Sequence, residues 1–133
     1  MRIILISFLF VAFSAQVYGQ AIDRNLICGK KWYYEKMQAD NAKPVYVSPA
    51  EKNDYFVYKC NGFFESVERG KTTKGVWSYN PKDSSIKVVQ PPAPPNNKEV
   101  TVATKLVQID ATHLVLQGKA NGGGTVTLYL ISR

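Results

Sequence analysis

The stretch from Tyr55 to Tyr79, YFVYKCNGFFESVERGKTTKGVWSY, constrains the fold more than any other part of the chain. Its apolar and aromatic residues come in runs of strand length. Each run stops at a pair suited to a tight turn, first Asn61-Gly62 and then Gly70-Lys71. This predicts three consecutive antiparallel strands, Tyr55 to Lys59, Phe63 to Arg69 and Thr72 to Tyr79, forming a β-meander. A meander acts through what it can enclose, so function is sought in its interior and its loops.

The same pattern covers the rest of the chain. Strand composition recurs at Leu26 to Met37, Ser85 to Val89, Lys98 to Ile109, His113 to Gln117 and Thr125 to Ser132. Eight strands at close spacing, with no long helical period, argue an all-β barrel or sandwich, and a closed up-and-down antiparallel barrel leaves no free edge. The link Gln38 to Asp54 is long for so small a domain and reads as a lid-like loop. Within it, Ser48-Pro49-Ala50-Glu51 carries an N-cap, a proline at the first helical position and a capping-box glutamate, which predicts one short helical turn. Pro91-Pro92-Ala93-Pro94-Pro95 lacks amide donors and reads as an exposed, stiff loop; a proline-rich ligand for another domain is the sharper alternative.

Compartment is argued from the first residues, MRIILISFLFVAFSAQVYGQA. One positive charge at Arg2, an apolar run from Ile3 to Ala15 and small residues after it have the layout of a secretory signal peptide, too short for a membrane span. Cleavage is expected after Gly19, with Ala21 as the alternative cut. Removing residues 1–19 of 133 leaves a domain of 114, residues 20–133, that is secreted or periplasmic and has no transmembrane segment. Arg2 is the one charge lost from the formal +7, leaving +6. That surplus could attract an anionic partner, or simply keep a solvated surface soluble.

Cys28 and Cys60 are the two cysteines. They are too few for a four-ligand zinc site, even with the one histidine, His113, so no metal and no cofactor is expected. Export would allow them to form a disulfide. An antiparallel register placing Cys28 opposite Cys60 also places Trp32 opposite Phe56 on the same face. Two buried free thiols are the other arrangement the sequence permits.

In an up-and-down barrel the connections alternate between the two ends. One end collects the lid-like loop, the polyproline segment and Asn121-Gly122-Gly123-Gly124, while the links at the other end are all short. This predicts one mouth and one closed base. Lys43, Arg69, Lys71, Lys98 and Lys119 fall near the mouth and would make its rim basic, suiting a small amphipathic molecule with an acidic head. A barrel this small can equally be filled by its own side chains.

Catalysis is not expected. His113 is three residues after Asp110, and no serine stands in a nucleophile elbow. Glu65 and Glu68 have opposite parity, so they face opposite sides of one strand and make a poor acid/base couple. The glycines of 121–124 lack the lysine and helix of a phosphate loop. The interleaved lysines and aromatics of Lys30-Lys31-Trp32-Tyr33-Tyr34 occur on nucleic-acid-binding sheets too, but an exported protein is not expected to meet nucleic acid.

Gly29 and Trp32, the run Tyr58-Lys59-Cys60-Asn61-Gly62-Phe63-Phe64, and Gly75-Val76-Trp77 together resemble the lipocalin-like family, in particular the small exported domains of Bacteroidetes bacteria. The resemblance spans nearly all of the chain after the leader. It implies an eight-stranded antiparallel barrel and, for many members, binding of small hydrophobic molecules. The spacing departs from the family's Gly-x-Trp in the first strand, since two lysines separate Gly29 from Trp32; the regular spacing occurs at Gly75 to Trp77. The family's arginine after the last strand, which packs on the first-strand tryptophan, would be Arg133 on Trp32.

The resulting expectation is a binding protein whose interior is lined by Trp32, Tyr34, Phe56, Tyr58, Phe64, Trp77 and Tyr79. The alternative is a solid-core barrel acting through its loops as a protein-interaction, inhibitor or immunity module.

Overall fold

In a computed structural model of the protein, residues 23–95, 97–120 and 122–133 are described. The expected leader therefore lies outside them. A one-turn helix, α1 (Arg24–Ile27), precedes nine strands: β1 (Lys31–Ala39), β2 (Val45–Tyr46), β3 (Tyr55–Tyr58), β4 (Phe63–Glu68), β5 (Lys71–Asn80), β6 (Ser85–Ala93), β7 (Lys98–Ile109), β8 (His113–Lys119) and β9 (Thr125–Ser132). Strands β3 to β9 pair in sequence order, each antiparallel to the last, and β1 joins β3 on one side and β9 on the other. Eight strands thus close into a barrel, with β2 as an extra pair on the outer half of β1. Among the described residues no helix is long and apolar enough to cross a membrane.

Alternation fills the interior. Phe56 and Tyr58, Phe64 and Ser66, Gly75 and Trp77, Ile86 and Val88, and Leu114 and Leu116 are buried, while their strand neighbours are more exposed. Trp32 stands opposite Phe56, as the cysteine register requires, and Cys28 and Cys60 are bonded with Cα atoms 5.0 Å apart. The first strand starts later than expected. Residues 24–27 form α1, because Asp23 accepts the Asn25 amide at 2.9 Å and caps it.

The base is shut by this N-terminal segment. Trp32 Nε1–H donates to the Ile27 carbonyl at 3.0 Å, and Trp77 Nε1–H donates to the Lys59 carbonyl at 2.7 Å. Each buried indole thereby satisfies its one polar atom. The Arg24 guanidinium lies 4.6 Å from the Trp77 ring centroid and donates to the Cys60 carbonyl at 3.0 Å. Gly75 lets β6 approach, since a Cβ there would stand 2.5 Å from the Val89 carbonyl oxygen.

Four local expectations are corrected. The turn after β4 is centred one residue early, on Arg69 and Gly70 with φ of 50° and 79°, the doubly positive geometry of a tight hairpin; Lys71 already pairs with Glu68. The short helix is α1, whereas residues 48–53 make successive turns: Ser48 Oγ does bond Glu51 at 2.8 Å, but Asp54 must then turn back to the Glu51 carbonyl and no helix propagates. Pro91 and Pro92 belong to β6, at a bulge between Gln90 and Ala93 where no ladder amide is needed. Finally, Arg133 stacks on Tyr33, 4.1 Å from the ring centroid, and not on Trp32, because Trp32 points inward and Tyr33 outward.

Candidate functional site

Two adjoining cavities occupy the barrel's open half. An inner chamber of about 250 Å³ is lined by Phe56, Tyr58, Phe64, Val88, Leu116 and Leu128, with Ser66, Gln90 and Thr104 as polar insertions. Above it an outer vestibule of about 1000 Å³ lies beneath the Gln38–Asp54 link, with Met37, Tyr46 and Thr73 among its walls. Tyr34 and Glu68 line both, at the neck between them, as the shared wall of the two spaces.

The vestibule exists because of how β1 is built. At Glu35 the strand carries a bulge, and beyond it β1 leaves β3 and pairs with β2 through Lys36–Tyr46 and Met37–Val45. The gap left between β2 and the start of β3 is the opening. Asp54 closes its lower edge: buried at 8 % exposure, it accepts the Arg69 amide at 2.9 Å and ties the link to the β4–β5 turn.

The aromatic residues chosen from sequence are all in or against the core, but they divide by depth. Tyr34, Phe56, Tyr58 and Phe64 line the inner chamber. Trp32 and Trp77 lie below it in the floor, and Tyr79 is partly buried against the core. Ring centroids of 5.1 Å for Tyr58–Trp77, 5.2 Å for Phe56–Tyr58 and 5.5 Å for Tyr58–Phe64 make the floor a continuous aromatic layer.

The expected basic rim is only partly assembled. Arg69 and Lys71 reach the vestibule, where Lys36 joins them, but Lys43, Lys98 and Lys119 line neither cavity. Glu51, Asp54 and Glu68 line the same space, so the cations there are matched one for one. Glu65 and Glu68 do face opposite sides: Glu65 is outside, 3.3 Å from Lys59, and Glu68 is at the neck. Strand parity with Phe64 was the signal that could have found Ser66 and Glu68 from sequence.

Carboxylates bear on Tyr34 where the two cavities meet. Tyr34's phenol is pushed up to about 12, chiefly by burial and then by the carboxylates of Glu68 and Asp54. Tyr58 is raised as well, by full burial and then by Tyr34. Both groups hold their protons more tightly folded than unfolded, so their contribution to stability is complete below pH 10 and is lost as pH rises toward 12. Tyrosinate absorbance in an alkaline titration should therefore show two of the tyrosines ionising at higher pH than the others, and all of them together in urea.

His113 sits at the base, outside both cavities. Its Nδ1 is 2.8 Å from Thr112 Oγ1 and 3.4 Å from Asp110 Oδ1, and its amide donates to Asp110 at 2.7 Å. The Thr112 amide, and after it the His113 amide, hold the Asp110 carboxyl below its usual range. The cluster caps the β7–β8 turn. Among the described residues no group of three metal-ligating side chains comes together.

No family model and no curated protein matches the chain. The crystal structure of a lipocalin-like protein from Bacteroides uniformis does match in fold, with a TM-score of 0.58 over 81% of this chain and 99% of that one, at 14% identity. With its closed eight-stranded meander, the chain has the lipocalin-like fold.

Proposed function

We propose that the protein is an exported binder of a small, mainly apolar or amphipathic molecule, held in the barrel interior without turnover. One observation carries this reading: a mainly apolar cavity in the barrel interior adjoins a larger vestibule, the two sharing Tyr34 and Glu68 as walls. The chamber lies below the roughly 300–1,000 Å³ usual for drug-sized ligands. A short apolar body fits it, and the remainder of the molecule would occupy the vestibule. Export is supported by the leader-like first residues and by the Cys28–Cys60 bond.

Val102 offers the test. It lines the inner chamber yet is 45% exposed, so Val102→Trp fills the chamber without forcing a larger group into packed core. Displacement of an anilinonaphthalene dye by neutral decanol should weaken at least about tenfold in this variant, while stability stays within about 0.5 kcal/mol of the parent. Equal binding by the two proteins would remove the chamber as the site.

A second reading, a module that recognises a protein through its mouth loops, is favoured by the exposure of Val45, Tyr46 and Val100. Capture of one stoichiometric partner, lost when residues 91–95 become glycine and serine, with no binding of any apolar compound, would select it.

A further inference from the structure

One strand of the inner chamber's wall outruns its neighbour. β7 has 12 residues and pairs with β6 from Lys98 to Lys105. On its other side the ladder to β8 starts only at Lys105↔Gln117, and β8 ends at Lys119. Among the described residues, Lys98 to Thr104 therefore have no ladder partner on that side. Val102 and Thr104 line the inner chamber, so this open edge belongs to the chamber's own wall.

The pairing with β6 decides which backbone groups are left over. The Leu106 amide donates to the Ser84 carbonyl at 2.7 Å, so Leu106 turns its groups toward β6, and Thr104, Val102 and Val100 do the same. Glu99, Thr101 and Ala103 alternate with them and turn their amides and carbonyls to the open side. Such an edge recruits another strand unless a proline, a bulge, like charges or a covering element blunts it. The prolines at 91–95 stand on β6 and in the turn after it, whereas residues 98–104, KEVTVAT, hold none.

We propose that this edge is completed by the same edge of a second copy, antiparallel about a two-fold axis through Thr101. Thr101 then faces the partner's Thr101, and Glu99 faces the partner's Ala103. Each of these pairs exchanges two hydrogen bonds, so every group left over in β7 is used. The side chains call for the same register. Glu99 lies diagonally beside the partner's Lys105, twice by symmetry, at a separation that long side chains of opposite charge can span. Both residues are exposed, and among the described residues neither has an ion pair in its own chain. On the other face Val100 meets the partner's Val102, covering side chains that are 47% and 45% exposed in the single chain. The partner's strand thus extends the chamber wall beside Val102.

The test is oligomeric state, by sedimentation velocity up to about 1 mM on protein purified after expression and export of the full chain. The parent should dimerise. Thr101→Pro removes the amide at the axis but spares the β6 ladder, because that amide faces away from β6 and an edge strand tolerates proline. Its dimer should weaken at least about tenfold. Glu99→Lys and Lys105→Glu each set like charges across the axis, and each should weaken self-association at least about threefold. An equimolar mixture of these two restores opposite charges at both contacts and should associate as tightly as the parent. Circular dichroism checks folding, and the two surface charge variants still test the register if Thr101→Pro unfolds. A parent that stays monomeric, a dimer indifferent to all three substitutions, or a mixture no tighter than its components would overturn the proposal. Capture of an extended peptide by a monomeric parent would overturn it as well.

Discussion

Replacing Cys28 and Cys60 together by alanine should cost about 3–4 kcal/mol of folding stability, the loop-closure value for a bond spanning a sequence separation of 32 residues. Against the roughly 5–15 kcal/mol that holds a typical domain folded, that is a large share. Structure adds a reason to expect the upper end. The bond tethers the segment that shuts the base, and with it Arg24's contact with Trp77 and Ile27's carbonyl under Trp32. Urea unfolding of the parent, the reduced parent and the double variant should give a common loss for the last two. A loss below 1 kcal/mol would mean that the N-terminal segment stays docked without the bond.

Trp32→Ala should be about as damaging, at about 3–5 kcal/mol. The indole is 0% exposed, faces Phe56 across the β1–β3 ladder and spends its only donor on Ile27. Alanine leaves a cavity at the barrel floor and an unsatisfied carbonyl at the end of α1. Trp32→Phe separates the two effects: it keeps most of the apolar contact and loses the hydrogen bond, so about 1–2 kcal/mol is expected. Circular dichroism in urea follows both, with Trp77 remaining as a fluorescent reporter. Ligand binding well below the melting temperature should survive either change, because Trp32 lines neither cavity.

The lower half of the barrel was legible in the sequence because several constraints there agree. Cys28–Cys60 and Trp32–Phe56 satisfy one antiparallel register, and the runs from Tyr55 to Tyr79 alternate cleanly between turns. The upper half was not, for reasons that are physical. The bulge at Glu35 has no sequence mark, yet it reverses the parity of β1, so that Met37 pairs with inward-facing Leu128 while Lys36 pairs with Tyr129. Two residues, Val45 and Tyr46, are too few to show any period, so β2 is visible only once β1 offers it an edge.

The site was half legible for a related reason. Choosing large aromatic residues finds what fills space, and Trp32 and Trp77 accordingly lie in the floor. The chamber lies where the inward side chains are small, at Ser66, Val88 and Thr104. Lys43 stands in the long link, while Lys98 and Lys119 are fixed at strand ends that border neither cavity. Arg69 and Lys71 reached the vestibule because a two-residue hairpin holds them there.

The two ends of the molecule are fastened with unequal strength. A covalent bond and two indole hydrogen bonds secure one, whereas the strip over the other rests on two residue pairs and the hydrogen bond that the Val47 N–H donates to the Glu35 carbonyl. Fluctuations that peel Val45 and Tyr46 away from β1 cost far less than melting the cylinder. On the carrier reading proposed above, a guest would come and go through this local breathing, and its residence time would be set independently of how much heat the protein withstands.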